Sequence, residues 1–114
     1  MTQYLVTIHR PIGYDAAVSE DEAMRREIDQ LNDDMVAAGV RVFVGGLRPP
    51  GEARAIIADG SGGAVVRDGP YLKVDEFVGG LWVLETATLD EAVEWGRRAS
   101  AACRAPVEVR PFYG

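Results

Sequence analysis

Two helical stripes, each bracketed by β-rich runs, constrain this chain more than any other feature of its sequence. The first opens at Ser19 with Glu22 three residues on, the capping-box spacing in which a hydroxyl and a carboxylate satisfy backbone amides at a helix start. Met24, Ile28, Leu31 and Met35 then recur at helical spacing up to Gly39, a residue suited to the left-handed position that ends a helix. The second opens at Thr88 with Glu91 and carries Leu89, Ala92, Val93, Gly96 and Ala99 on one stripe, reaching Ala102.

Each helix lies between two strands. Tyr4 to His9 is short and β-rich and stops at the turn formers Pro11 and Gly13, while Val40 to Leu47 follows the first helix and ends at Pro49-Pro50-Gly51. Leu81 to Leu84 precedes the second helix, and Val107 to Pro111 follows it. Between the halves, Ala53 to Ala58 and Ala64 to Arg67 flank Gly60-Ser61-Gly62-Gly63 and read as a hairpin. Hairpin aside, the order is β-α-β followed by β-α-β, the split arrangement of ferredoxin-like α+β folds with two helices on one sheet face. At 114 residues, a single domain over residues 1–114 accounts for the whole chain.

Two helices leave one sheet face uncovered. With Val40, Val42, Val44, Val107 and Val109 toward the helices, Arg41, Phe43, Glu108, Arg110 and Phe112 point away, as do Leu5, Thr7 and His9 when Tyr4, Val6 and Ile8 point in. Leu81-Trp82-Val83-Leu84 is apolar on both faces, so either register leaves large residues on the far side. A second copy of the chain, packed sheet to sheet as a symmetric homodimer, is the simplest cover.

Asp68-Gly69-Pro70-Tyr71, followed by Glu76 and Gly79-Gly80, joins Gly45 to Pro50, the helix phrase Leu89 to Trp95 and the ending Val107 to Pro111 in a likeness that spans nearly the whole chain. Together these motifs resemble the YCII-related family in its DGPF-motif branch. The resemblance implies a ferredoxin-like, dimeric α+β barrel in a bacterial cytoplasm, with a role that is poorly known. The branch commonly places Phe after the proline, then an acidic residue and a lysine two apart. Here Tyr71 replaces the Phe, and Lys73 and Asp75 carry the reversed charges.

Composition narrows the partners. A net charge of −6 argues against nucleic acid, whose affinity comes largely from Lys and Arg neutralising phosphates. Cys103 is the single cysteine, which excludes an internal disulfide, and no Cys/His spacing fits a zinc site. No basic segment with an apolar run opens the chain and no long apolar stretch follows, so a cytoplasmic protein without membrane insertion is expected. Gly45-Gly46 and Gly79-Gly80 start no helix and fit no phosphate-loop spacing; they suit bulges or close backbone approach, and no cofactor is implied.

The candidate chemistry is sparse. His9, the only histidine, is a candidate general base or an inert strand-end residue. Asp68 could orient it as an acid/base dyad, or could serve the Asp-Gly-Pro turn by bonding a nearby amide while Gly69 takes a positive φ. Arg41, Glu108 and Arg110, interleaved with Phe43 and Phe112, could line a pocket that recognises a carboxylate or phenolate, or could form ion pairs at the dimer interface. Cys103 has only Arg104 nearby to activate it, and Trp82 and Trp95 read as core or interface aromatics. Three functions follow: a small cofactor-independent enzyme using acid/base chemistry with His9 and Asp68 and anchoring its ligand on Arg110, a non-catalytic small-ligand-binding or regulatory dimeric module, or a purely structural interaction domain.

Overall fold

The computed structural model describes Met1–Gly114 in full. Four strands form one antiparallel sheet: β1 (Thr2–Pro11), β2 (Arg41–Gly46), β5 (Glu76–Thr86) and β6 (Val107–Pro111). Their order, β2-β5-β1-β6, puts the first and third of these strands at the centre, the ferredoxin-like topology expected from the alternation of elements. The helices α2 (Glu22–Ala37) and α3 (Leu89–Cys103) cover one face. Their apolar stripes meet the sheet in one core of Val6, Trp82 and Leu84 from the strands, Leu31 and Met35 from α2, and Ala99, Ala102 and Cys103 from α3. Gly96 allows α3 to approach this closely, since a β-carbon there would stand 2.7 Å from Val109 Cγ2.

Both helix starts are built by side chains, but one by a different residue from that expected. Thr88 caps α3 by accepting from Glu91 N–H, and Glu91 reaches back to Ala87 N–H. At α2 the cap is Asp21, which accepts from Met24 N–H at 2.8 Å. Ser19 instead ends a one-turn helix, α1 (Ala16–Ser19), that Asp15 caps by accepting from Ala17 N–H. The helix starts two residues later than the capping-box spacing at Ser19 predicts, because Ser19 is itself helical in α1 and Asp21, in extended backbone, takes the Met24 amide. Gly39 ends α2 with φ +72°, as expected.

Two bulges reset the sheet faces, and alternation along the sequence cannot reveal either. In β2 the register shifts between Arg41 and Phe43, so Arg41 pairs with the buried Leu84 while Phe43 pairs with Val83. Arg41 is thereby turned to the helix side, where its Nη1 donates to Asn32 Oδ1 on α2, and Val42 is left 52% exposed. The expectation that Arg41 faces away with Glu108 and Arg110, and that Val42 faces the helices, is corrected by this inserted residue. In β5 the shift lies at Gly79: Ile8 pairs with Gly80 and His9 with Val78. The extra residue carries Phe77 to the helix side, opposite Arg10.

The hairpin of β3 (Arg54–Ala58) and β4 (Ala64–Asp68) forms its own two-stranded sheet. Gly69 N–H bonds Ala53 O, and Arg54 pairs with Asp68, closing its base. It stands off the body, which explains a radius of gyration of 16.1 Å where a compact chain of this length reaches about 13 Å. The molecule is only 18 Å thick, as one sheet with helices on a single face must be. No helix is long and apolar enough to cross a membrane.

Candidate functional site

The principal concavity is a cleft of about 920 Å³ on the helix side of the sheet, at the end where β1 runs out and β2 and β5 meet their loops. Ile8, Val44, Phe77 and Trp82 from the strands and Ile28 from α2 form its apolar walls. Gly45, Gly46, Gly79 and Gly80 form a floor without side chains, and Leu47 to Gly51 and Ile12 to Ala16 form the rims. Gly80 is glycine for a packing reason: a β-carbon there would meet Gly45 O at 3.2 Å. A concave, mostly apolar space with few polar groups is the usual form of a small-molecule site.

The polar groups in it are Arg10, Tyr14, Asp15, Glu20 and the buried Cys103. Arg10 is the unusual one. It is 7% exposed, yet it forms no salt bridge. Its Nη1 donates to Cys103 O at 2.6 Å, at the carbonyl end of α3 where the helix dipole favours a cation. Its guanidinium carbon lies 4.3 Å from the centroid of the Tyr14 ring. A guanidinium has five N–H donors, and those not spent on Cys103 have no partner in the chain. Every fully buried side-chain nitrogen in the molecule is partnered, so the remaining Arg10 donors open to the cleft. Gly79 makes this placement possible, because a β-carbon there would sit 2.7 Å from Arg10 Cγ.

Tyr14 continues the arrangement, its hydroxyl donating to Glu20 Oε2 at 2.9 Å. Burial pushes its phenol up to about 12, and the hydrogen bond to Glu20 adds to the effect, so the hydroxyl stays protonated as a donor. Burial likewise pushes the Cys103 thiol up, against the pull of Arg10, which makes it a poor nucleophile at neutral pH. Asp15 is occupied by its capping bond to Ala17 N–H.

None of the five residues singled out from sequence lines this cleft. His9 lies on the sheet's outer face beside Thr7, its Nε2 3.0 Å from Thr7 Oγ1. It borders a separate shallow depression with Asp75 and Glu76. Asp68 is on the hairpin, its side chain 90% exposed and paired with Arg54 at 3.1 Å. No hydrogen bond joins His9 to Asp68. The turn after Asp68 does use Gly69 at φ +95°, but the carboxylate goes to Arg54 rather than to a backbone amide. Glu108 and Arg110 sit on the outer face opposite Thr7 and Leu5 and pair with each other at 2.8 Å, while Arg41 is on the other side of the sheet. No cluster of histidine, cysteine and carboxylate side chains could hold a metal ion.

The sequence did carry one overlooked signal for the cleft. Tyr4, Val6 and Ile8 point inward, and Arg10 continues the same phase, an arginine at a core-facing strand position. Such a group is retained only where charge and hydrogen bonds compensate its burial, or where it meets a ligand.

Fold and site together define a ferredoxin-like α+β protein with an apolar, arginine-bearing cleft at one end of its sheet. The model of the YCII-related domain matches residues 4–113, and the chain belongs to that family. An uncharacterized protein of Rhizobium meliloti (strain 1021) is 33% identical to it over 95 residues, covering 82% of this chain and 76% of the relative.

Proposed function

We propose that this protein is a small-molecule-binding module whose cleft takes an organic anion, a carboxylate on an apolar body, anchored by Arg10. The observation that carries the reading is the almost fully buried Arg10, without a carboxylate partner and with N–H donors open to an apolar space. A cation held in low dielectric is costly unless compensated, and a planar carboxylate accepting two parallel N–H bonds is the compensation a guanidinium suits best. The walls of Ile8, Ile28, Phe77 and Trp82 would then take the ligand's apolar part. Acid/base catalysis by His9 and Asp68 draws less support, since each is engaged elsewhere and neither borders the cleft.

Within the family, we propose that the chain falls in the DGPF branch, a reading supported by Asp68-Gly69-Pro70, with Tyr71 in place of the motif's Phe. We also propose a cytoplasmic homodimer formed through the outer sheet face. There Leu5, Leu81 and Val83 have no helix over them and Phe43 is 57% exposed, an apolar strip of the kind that mates with a copy of itself.

The test is a two-dimensional amide NMR titration with 4-methylbenzoate, run on the wild type and on Arg10→Gln. Shifts confined to residues around the cleft in the wild type, and lost in a folded Arg10→Gln, are expected. Shifts that survive the substitution, or that centre on His9, would remove Arg10 as the anchor.

A further inference from the structure

The cleft holds a second charge. Glu20 lines it too, and although Arg10 and Glu20 both contact Tyr14, one against the ring and the other at the hydroxyl, they form no salt bridge with each other. Two opposite charges in one apolar cleft would ordinarily be drawn together. Here the phenol stands between them, its face under the guanidinium and its O–H on Oε2 of the carboxylate. Each charge is therefore held in place and left with unused capacity: Arg10 has donors to spare, and Glu20 Oε1 has no partner within the chain. Asp15, the other acid at this rim, is exposed and has one oxygen on its helix cap, whereas Glu20 is half-buried against Tyr14, so Glu20 is the carboxylate better placed to meet a ligand inside the cleft.

Resting on the Arg10 reading above, we infer that the cleft selects a dipolar ligand: a carboxylate for Arg10 and, a ring's breadth or short chain away, a protonated amine for Glu20. Such a ligand completes both charge pairs at once inside a space walled by Ile28, Phe77 and Trp82, where charge-assisted hydrogen bonds are strongest. A ligand with the carboxylate alone satisfies Arg10 and leaves Glu20 facing a methyl group, whose contact dehydrates the carboxylate without replacing its hydrogen bonds. Glu20 is thus a specificity residue, and Tyr14 is the spacer that keeps the two charges from neutralising each other.

Isothermal titration calorimetry with three molecules of nearly equal shape separates the contributions: 4-(aminomethyl)benzoate, 4-methylbenzoate and 4-methylbenzylamine, at one fixed ionic strength. In the wild type the dipolar compound should bind roughly tenfold or more tightly than 4-methylbenzoate, with the amine weakest. Glu20→Gln keeps an acceptor for Tyr14, so the fold stands, and it should erase the advantage of the dipolar compound while 4-methylbenzoate, relieved of the carboxylate it dehydrates, binds as tightly as in the wild type or more so. Arg10→Gln should weaken both acids. Equal binding of the two acids by the wild type, with both still dependent on Arg10, overturns the dipolar ligand and leaves the anion site standing. Binding of neither acid overturns both, as does binding that ignores Arg10.

Discussion

Replacing Gly79 by alanine is the smallest change that should unseat Arg10 without altering its chemistry. The new methyl would lie 2.7 Å from Arg10 Cγ and 3.6 Å from its Cβ. Carbon atoms settle at about 3.5–4.0 Å, so the arginine stem has to retreat by about 1 Å. The retreat strains the 2.6 Å bond to Cys103 O and the 4.3 Å stacking on Tyr14. Overpacking of this kind costs about 1–3 kcal/mol. Alanine offsets about 0.5–1 kcal/mol of that by restricting the unfolded chain. The net expectation is a loss of up to about 2.5 kcal/mol, centred near about 1 kcal/mol, read from the midpoint of urea unfolding at unchanged slope. In an Arg10→Ala background the clash disappears, and the same methyl should be neutral or mildly stabilising. The double-mutant cycle should give a coupling above about 1 kcal/mol. An equal cost of Gly79→Ala in both backgrounds would refute the claim that this glycine exists to seat Arg10.

Other outcomes follow from the same geometry. Asp21→Ala should destabilise by about 1 kcal/mol in thermal or urea unfolding, because it removes the α2 cap, while Ser19→Ala should stay within about 0.5 kcal/mol. Tyr14 ionises near 12 in the folded chain against an ordinary 10.0, so its contribution to stability is complete below pH 10 and is lost as pH rises toward 12. Ultraviolet titration of tyrosinate should show a late component that Tyr14→Phe deletes and that Glu20→Gln brings only partly down, since burial is the larger cause. Cys103, buried and with its thiol raised, should react with a disulfide reagent at neutral pH roughly tenfold or more slowly in the native protein than in urea. Light scattering at micromolar concentration should give twice the 12.3 kDa chain mass, and Phe43→Asp on the outer face should return it to the monomer.

The elements were legible because their signals are local. Met24, Leu31 and Met35 at helical spacing and the Thr88–Glu91 box needed nothing from the rest of the chain, and their order implied the sheet topology. What escaped was set by single inserted residues. The bulge at Val42 turned Arg41 to the helix side, and that at Gly79 brought Phe77 round to the cleft; neither changes the composition of its strand. The site escaped for a related reason. Histidine and the Asp-Gly-Pro turn attract attention as residue types, whereas Arg10, Tyr14 and Glu20 matter through position, gathered where β1 ends and the chain turns into α1 and α2. Of the three only Arg10 carried a warning, its inward phase in β1, and recognising Tyr14 as the group between Arg10 and Glu20 requires the fold.

The claim that Arg10 anchors an organic anion is tested most directly by a crystal structure of the protein with 4-methylbenzoate. The account predicts the carboxylate within hydrogen-bond distance of the Arg10 guanidinium and the ring against Phe77 and Trp82. A carboxylate bound at the outer face beside His9 or Arg110, with the cleft around Arg10 holding only water, would contradict it.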